Sequence, residues 1–183
     1  RYSTLESSET GDSCAVCRSR QADMINPLKY IVRCLVFRRD KSTVPHGILP
    51  LGKVSCATVL VDSSAADADA TCKSVKQFFD YLHIRVRILC PSPSDITFAG
   101  CLKRSYRGTR FPASETEMFI SLIDLEDNFL SDYESTHSTA VFKVGRRQIP
   151  GNVFDVVITP PEGVVSSQCA VFAAIKDYLC KIR

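Results

Sequence analysis

Apolar residues follow two kinds of pattern along this chain, and each predicts one type of secondary structure. Short runs rich in β-branched and aromatic residues predict buried strands. They occupy residues 28–37, 54–61, 84–90, 118–125, 138–144 and 153–159. Apolar residues spaced three and four positions apart predict amphipathic helices. These stripes occupy residues 64–82, 92–107 and 164–182. From residue 54 onward, the predicted order of elements is β-α-β-α-β-β-β-α.

This order predicts an α/β domain of three layers, with a five-stranded sheet between flanking helices. A helix joins the first two strands of the domain, and such a crossover makes that pair parallel. The last three strands follow one another without a helix, so we expect antiparallel pairs among them and a mixed sheet. The strand at residues 28–37 lies outside this unit and predicts an N-terminal extra strand, placed at a sheet edge or against another chain.

The chain therefore divides into three predicted segments. Residues 1–23 are polar and lack periodicity, which predicts a flexible tail. An extra strand and a loop follow over residues 24–52, and the α/β domain covers residues 53–183. Cys14 and Cys17 in the tail have the spacing of half a zinc site. A structural zinc site needs four ligands, so two incidental thiols are favoured over a shared zinc or redox site.

Three short motifs occur within the predicted α/β domain. They are Leu-His-Ile-Arg-Val-Arg-Ile at residues 82–88, Gly-Cys-Leu-Lys-Arg at residues 100–104 and Gly-Thr-Arg-Phe-Pro at residues 108–112. With them, residues 53–183 resemble the anticodon-binding domain of class II aminoacyl-tRNA synthetases, in the form that occurs in relatives without the synthetase body. The resemblance implies a binding module for RNA and not an aminoacylating enzyme, because the remaining residues are too few for a synthetase catalytic domain.

The composition is that of an ordinary globular protein, with 45% hydrophobic and 23% charged residues. No apolar run approaches the roughly 20 residues of a transmembrane helix, so we expect no membrane partner. The nine cysteines lie mostly within apolar stretches rather than in loops. That placement favours a reducing intracellular compartment over a secreted disulfide scaffold, and it leaves the organelle open, with mitochondrion and nucleus as alternatives.

Charge is arranged in blocks, although the net charge is only +3. A basic block at residues 101–110 precedes an acidic block at residues 111–135, and residues 136–150 are basic again. Basic side chains neutralise RNA phosphates, and aromatic rings stack on bases. The candidate RNA-binding residues are Lys103, Arg104, Tyr106, Arg107, Arg110, Lys143, Arg146 and Arg147. The alternative is a solvated face on which the basic and acidic blocks neutralise each other.

The C-terminal helix has no polar face for nearly two turns, over residues 170–175. Such a helix is either buried in the core or half-buried against a partner. Phe172, Ile175 and Leu179 are the candidate residues for a protein interface, and core burial is the alternative interpretation.

The sequence predicts no catalytic residue, no metal site and no cofactor. The acidic run at residues 124–134 lacks the spacing of a calcium loop and favours a solvated loop. Asp62 ends the first strand of the domain, where α/β enzymes often place chemistry, but helix capping is the favoured role. We therefore predict a non-catalytic subunit of a ribonucleoprotein that binds RNA and docks a protein. The alternatives are a protein-interaction scaffold without RNA contact and, third, a small α/β enzyme.

Overall fold

The fold is that of a computed structural model, which describes residues 28, 31–33, 42, 44–124, 129–149, 151–160 and 167–182. These ranges contain five strands: β1 (Cys56–Leu60), β2 (Arg85–Leu89), β3 (Glu117–Ser121), β4 (Phe142–Gly145) and β5 (Val156–Val157). The helices that lie wholly within the described residues are α1 (Ala68–Tyr81), α2 (Arg104–Arg107), α3 (Phe129–His137) and α4 (Gln168–Leu179), with 3₁₀ turns at Leu51–Lys53 and Pro93–Asp95. The tail predicted for residues 1–23, with Cys14 and Cys17, lies outside the described residues.

The five strands form one sheet in the order β2-β1-β3-β4-β5, and every neighbouring pair is parallel. In this register, Thr58 of β1 lies between Arg87 of β2 and Phe119 of β3. The chain adds β2 on one side of β1 and then adds β3, β4 and β5 on the other, which is a doubly wound order. The predicted α/β class and strand count are confirmed.

The prediction of a mixed sheet is wrong, because the sequence pattern did not reveal one helix. Helix α3 lies between β3 and β4. It returns the chain to the end of the sheet at which the strands begin, as a parallel pair requires. The connection from β4 to β5 makes the same return over residues 146–155. Its apolar residues Ile149, Val153 and Phe154 are buried against the sheet and take the place of a helix.

One face of the sheet is apolar from end to end and is covered by α1 and α4. Successive side chains of a strand point to opposite faces, and on this face β1 contributes Val59 and β3 contributes Ile120, both fully buried. Phe79 of α1 and Phe172 of α4 pack against them with ring centroids 6.4 Å apart. The principal core of the domain therefore lies between these two helices and the sheet.

The opposite face of the sheet has an apolar part and a polar part, which lie at different ends of the strands. Near the carboxyl ends, Leu60, Leu89 and Phe119 form a second apolar cluster under the segments between the strands. Near the amino ends, the same face carries Arg87 and Glu117 instead. A polar zone on a covered face of a parallel sheet is unusual, since both faces of such sheets are normally apolar.

Two further sequence predictions need correction. The extra strand at residues 28–37 is not supported, because Leu28 and residues 31–33 are helical. The helix predicted over residues 92–107 is divided into two short pieces, the turn Pro93–Asp95 and α2. Gly100 between them has a φ of +94°, and the chain there folds back so that Ile96 pairs with Leu102 in an antiparallel bridge.

Candidate functional site

A chain of polar contacts crosses the sheet near the amino ends of β2, β1 and β3. The hydroxyl of Thr58 donates to Oε1 of Glu117 at 2.6 Å and accepts a hydrogen bond from Nη2 of Arg87 at 2.8 Å. The same guanidinium lies 3.6 Å from the Glu117 carboxylate. Glu117 and Thr58 are both buried, so the strand register holds this ion pair away from bulk water.

The ring of Phe111 lies beside two arginines of β2, Arg85 and Arg87. The guanidinium carbons of Arg85 and Arg87 lie 5.6 Å and 5.2 Å from the centroid of the Phe111 ring, within the range of cation–π attraction. Arg85 also forms an ion pair with Glu115, and its hydrogen bond lowers the pKa of that carboxyl. Burial lowers the pKa of Arg87, against the opposing effect of Glu117.

A second ion pair joins α2 to α3. The guanidinium of Arg107 donates to the buried carboxylate of Glu134, and its central carbon lies 5.9 Å from the ring of Tyr133. Arg147, after β4, approaches the carboxylate of Asp132 at 3.6 Å. Helix α3 thus turns acidic side chains inward, towards arginines contributed by both basic blocks.

Lys143 of β4 lies beneath this zone and is fully buried. Its ammonium donates to the backbone carbonyl of Ser135 at 2.9 Å and to the hydroxyl of Ser42 at 2.8 Å. Burial lowers the pKa of Lys143 to about 8. Asp155 accepts the backbone N–H of Lys143 at 2.8 Å and contacts Nδ1 of His46 at 2.7 Å, which fixes the segment before β5.

The ion pairs border a recess of about 20 Å³ that opens to solvent. Three arginines and two glutamates reach it, with His137 and several hydroxyls at its rim. These charged residues are Arg87, Arg107, Arg110, Glu117 and Glu134. That volume has room for roughly one water molecule, so a nucleotide cannot enter. Of the three arginines that line the recess, Arg110 is exposed.

The structure separates the predicted RNA-binding residues into three groups. Lys103, Arg104 and Arg110 are exposed, and none of them forms an ion pair with a carboxylate among the described residues. Arg107, Arg146 and Arg147 are ion-paired, Arg146 to Asp124 at 2.9 Å.

The remaining two are held inside the fold. Lys143 cannot contact RNA in this fold, because its side chain is in the interior. Tyr106 is half-buried, and its hydroxyl accepts a hydrogen bond from the backbone N–H of Cys90 at 3.0 Å. This contact anchors the ring to the end of β2.

The residues predicted as a protein interface are core residues. Phe172, Ile175 and Leu179 are fully buried between α4, α1 and the sheet, so they have no surface to offer a partner. The outer side of α4 is formed by small and charged residues such as Ala173, Ala174 and Asp177. The structure agrees with the alternative interpretation of this helix, which is burial in the core.

Sequence reasoning missed the inward-facing acidic residues of α3. The strict alternation of Arg85 and Arg87 with apolar neighbours did place both arginines on one side of their strand. The signal for α3 was available as Phe129, Tyr133 and His137, which are spaced four apart. Their rings stack successively, with centroid distances of 5.9 Å and 4.2 Å.

Within the described ranges, no three His, Cys, Asp or Glu side chains come together in an arrangement that could hold a metal ion. None of the helices in that part of the chain has the length and apolar character needed to span a membrane. Comparison of the chain with protein-family models, with curated proteins and with solved structures finds no match.

Proposed function

We propose that this protein binds RNA through the exposed cations of its 103–110 segment and that its role is binding rather than catalysis. The observation that carries the proposal is the division of the basic residues into two sets. Arginines that hold the fold together are paired with carboxylates, whereas Lys103, Arg104 and Arg110 extend into solvent without such a pair among the described residues.

Unpaired, exposed cations are the groups that can replace the counterions of a nucleic-acid backbone. An arginine already paired with a carboxylate has to leave that partner before it contacts a phosphate, so it adds less to affinity. These three cations, Lys103, Arg104 and Arg110, lie within eight residues of the chain, and Arg110 also lines the recess; we call them the basic strip. Its size suits contact with a few consecutive phosphates and not a deep nucleotide pocket.

The choice of RNA as the polyanion comes from the resemblance of residues 53–183 to anticodon-binding domains. A binding role is supported by the contacts that the carboxylates around the recess already make within the protein. Glu117 accepts from Thr58 and lies beside Arg87, while Glu134 accepts from Arg107. A general base needs a carboxylate that is able to reach a substrate proton, whereas each of these two carboxylates is buried and already has one oxygen engaged by the protein itself.

The proposal does not include docking of a protein through α4, because the residues predicted for that contact lie in the core. The scaffold alternative therefore needs a different surface. It becomes the favoured explanation if the chain binds no RNA at low salt.

The proposal is tested by measuring affinity for a single-stranded RNA oligonucleotide, a hairpin RNA and a DNA of the same sequence. The triple variant Lys103→Ala, Arg104→Ala, Arg110→Ala is compared with Lys73→Ala, Lys76→Ala, Lys181→Ala, whose three exposed lysines lie away from the strip. We expect the first variant to bind RNA roughly tenfold more weakly or worse and the second to bind as the unmodified protein does. An equal loss in both variants would show binding by net charge alone and would remove the strip from the account.

A further inference from the structure

A cavity of about 160 Å³ lies at the carboxyl ends of the first three strands, at the end of the sheet opposite to the polar zone. The segment after β1 contributes Asp62, Ser63 and Ser64 to its wall. The segments after β2 and β3 contribute Ile96 and Ile123. Nothing in the proposed contact with RNA uses this cavity.

The topology makes this position significant. After β1 the chain crosses by α1 to β2 on one side, whereas β3 is added on the other side of β1. The loops that leave β1 and β3 therefore diverge, and they open a crevice between them. In doubly wound sheets, ligands bind in this crevice outside the carboxyl ends of the strands.

The walls of the cavity combine apolar surface with a single charged group. Ile96, Ile123 and Leu130 supply the apolar side, and prolines from the β2 segment add to it. Asp62 supplies the only ionisable side chain among the described residues that line the cavity. No Lys, Arg or His stands beside it in that lining, so the cavity favours a cation over an anion.

The carboxylate of Asp62 is held in a fixed position by its own loop. Its Oδ1 accepts hydrogen bonds from the backbone N–H and the hydroxyl of Ser64, at 2.9 Å and 2.6 Å. Its backbone N–H donates to Gln168 at 2.8 Å, and the side-chain amide of Gln168 donates back to the Asp62 carbonyl at 3.0 Å. The second carboxylate oxygen, Oδ2, has no hydrogen-bond donor among the described residues.

We propose that this cavity binds a small organic cation with a ring-sized apolar body. The ring packs against Ile96, Ile123 and Leu130, and the ammonium donates to Oδ2 of Asp62. The size agrees, since an apolar cavity of about 150 Å³ holds a benzene ring. The chemistry also agrees, because hydrogen bonds between two charged groups are the stronger kind.

The test uses benzylamine, benzoate and toluene as probes. These molecules share one ring and differ in carrying a positive, a negative or no charge. We follow the backbone amide resonances of residues 61–64 and 96 during titration. Benzylamine is expected to shift them saturably, toluene more weakly and benzoate not at all. The variant Asp62→Asn, which keeps the Ser64 contacts, should weaken benzylamine binding about tenfold and leave the effect of toluene unchanged.

A matched control separates a specific site from general attraction to acidic residues. Asp69→Asn removes an exposed carboxylate from the first turn of α1 and should leave benzylamine binding as it is. Ile96→Trp, at a partly exposed position, should fill the cavity and abolish the shifts. The proposal is overturned if benzoate binds as well as benzylamine, or if Asp62→Asn and Ile96→Trp both bind benzylamine unchanged. Neither result bears on RNA binding, which is measured separately.

Discussion

The ammonium of Lys143 donates a 2.9 Å hydrogen bond to the backbone carbonyl of Ser135, which joins the centre of β4 to the last turn of α3. A carbonyl in the last turn of a helix has no partner within the helix, and a cation near it also complements the helix dipole. Lys143 therefore stabilises the position of α3 over the sheet. The cost is a buried charge, which lowers the pKa of Lys143 to about 8.

This lowered pKa predicts a particular dependence of stability on pH. In the unfolded chain the side chain of Lys143 keeps its proton up to the ordinary lysine pKa of 10.5, whereas the folded protein releases it near 8. Between these values the unfolded state binds more protons, so the contribution of Lys143 to stability increases with pH. From pH 7 to 9.5, the free energy of unfolding should rise by about 1–2 kcal/mol relative to a Lys143→Met variant.

The measurement is urea unfolding of both proteins across this range. The comparison with Lys143→Met is needed because burial raises the pKa of Cys90 and of Cys101 to about 11. Raised thiol pKa values remove stability as the pH rises above 9, in both proteins alike. A constant difference between the two proteins from pH 7 to 9.5 would contradict a buried ammonium of lowered pKa at this position.

The ion pair between Arg107 and Glu134 predicts a loss of stability when one partner becomes neutral. Glu134→Gln should lower the free energy of unfolding by about 1–3 kcal/mol, because the carboxylate is buried and accepts a charge-assisted hydrogen bond. Asp80→Asn, which removes an exposed pair with Lys76, is the matched control and should cost less than about 0.5 kcal/mol. Chemical denaturation measures the free energy of unfolding of both variants. Equal losses would show that the pair between Arg107 and Glu134 stabilises the fold no more than an exposed ion pair does.

Because Phe172 of α4 is buried in the core, we expect its ring to contribute to the stability of the fold. Phe172→Ala should lower the free energy of unfolding by about 3–5 kcal/mol, since the ring is fully buried against Phe79. Ala174→Ser, on the outer side of the same helix, should change it by less than about 0.5 kcal/mol. Thermal and urea unfolding provide the comparison. A Phe172→Ala variant of unchanged stability would return this residue to the candidates for a protein interface.

The sequence predicted those parts of the fold in which apolar periodicity and burial agree. Val59, Phe79 and Phe172 lie on uninterrupted apolar stripes, and their strand and helices are present with boundaries close to those expected. Helix α3 has the reverse character, because Asp132 and Glu134 point inward to arginines while the apolar residues are few. Its pattern therefore matched a solvated acidic loop, and the error extended to the direction of the later strands.

The candidate site was predictable as a region and not as a set of contacts. The block of charge at residues 101–110 indicated where cations gather, and Lys103, Arg104 and Arg110 are exposed there. Which cations are engaged depends on partners far apart in sequence, such as Glu134 for Arg107. Pairs of this kind are set by the tertiary packing of α2 against α3, which spacing along the chain does not encode.

The most direct test of the account is the salt dependence of RNA binding by the unmodified protein and by the variant Lys103→Ala, Arg104→Ala, Arg110→Ala. If the three side chains contact phosphates, the plot of log affinity against log salt should become shallower in the variant. The expected change in slope is about 2 for a single-stranded RNA, since each lost phosphate contact contributes about 0.7. An unchanged slope in the variant would contradict the assignment of this strip to RNA.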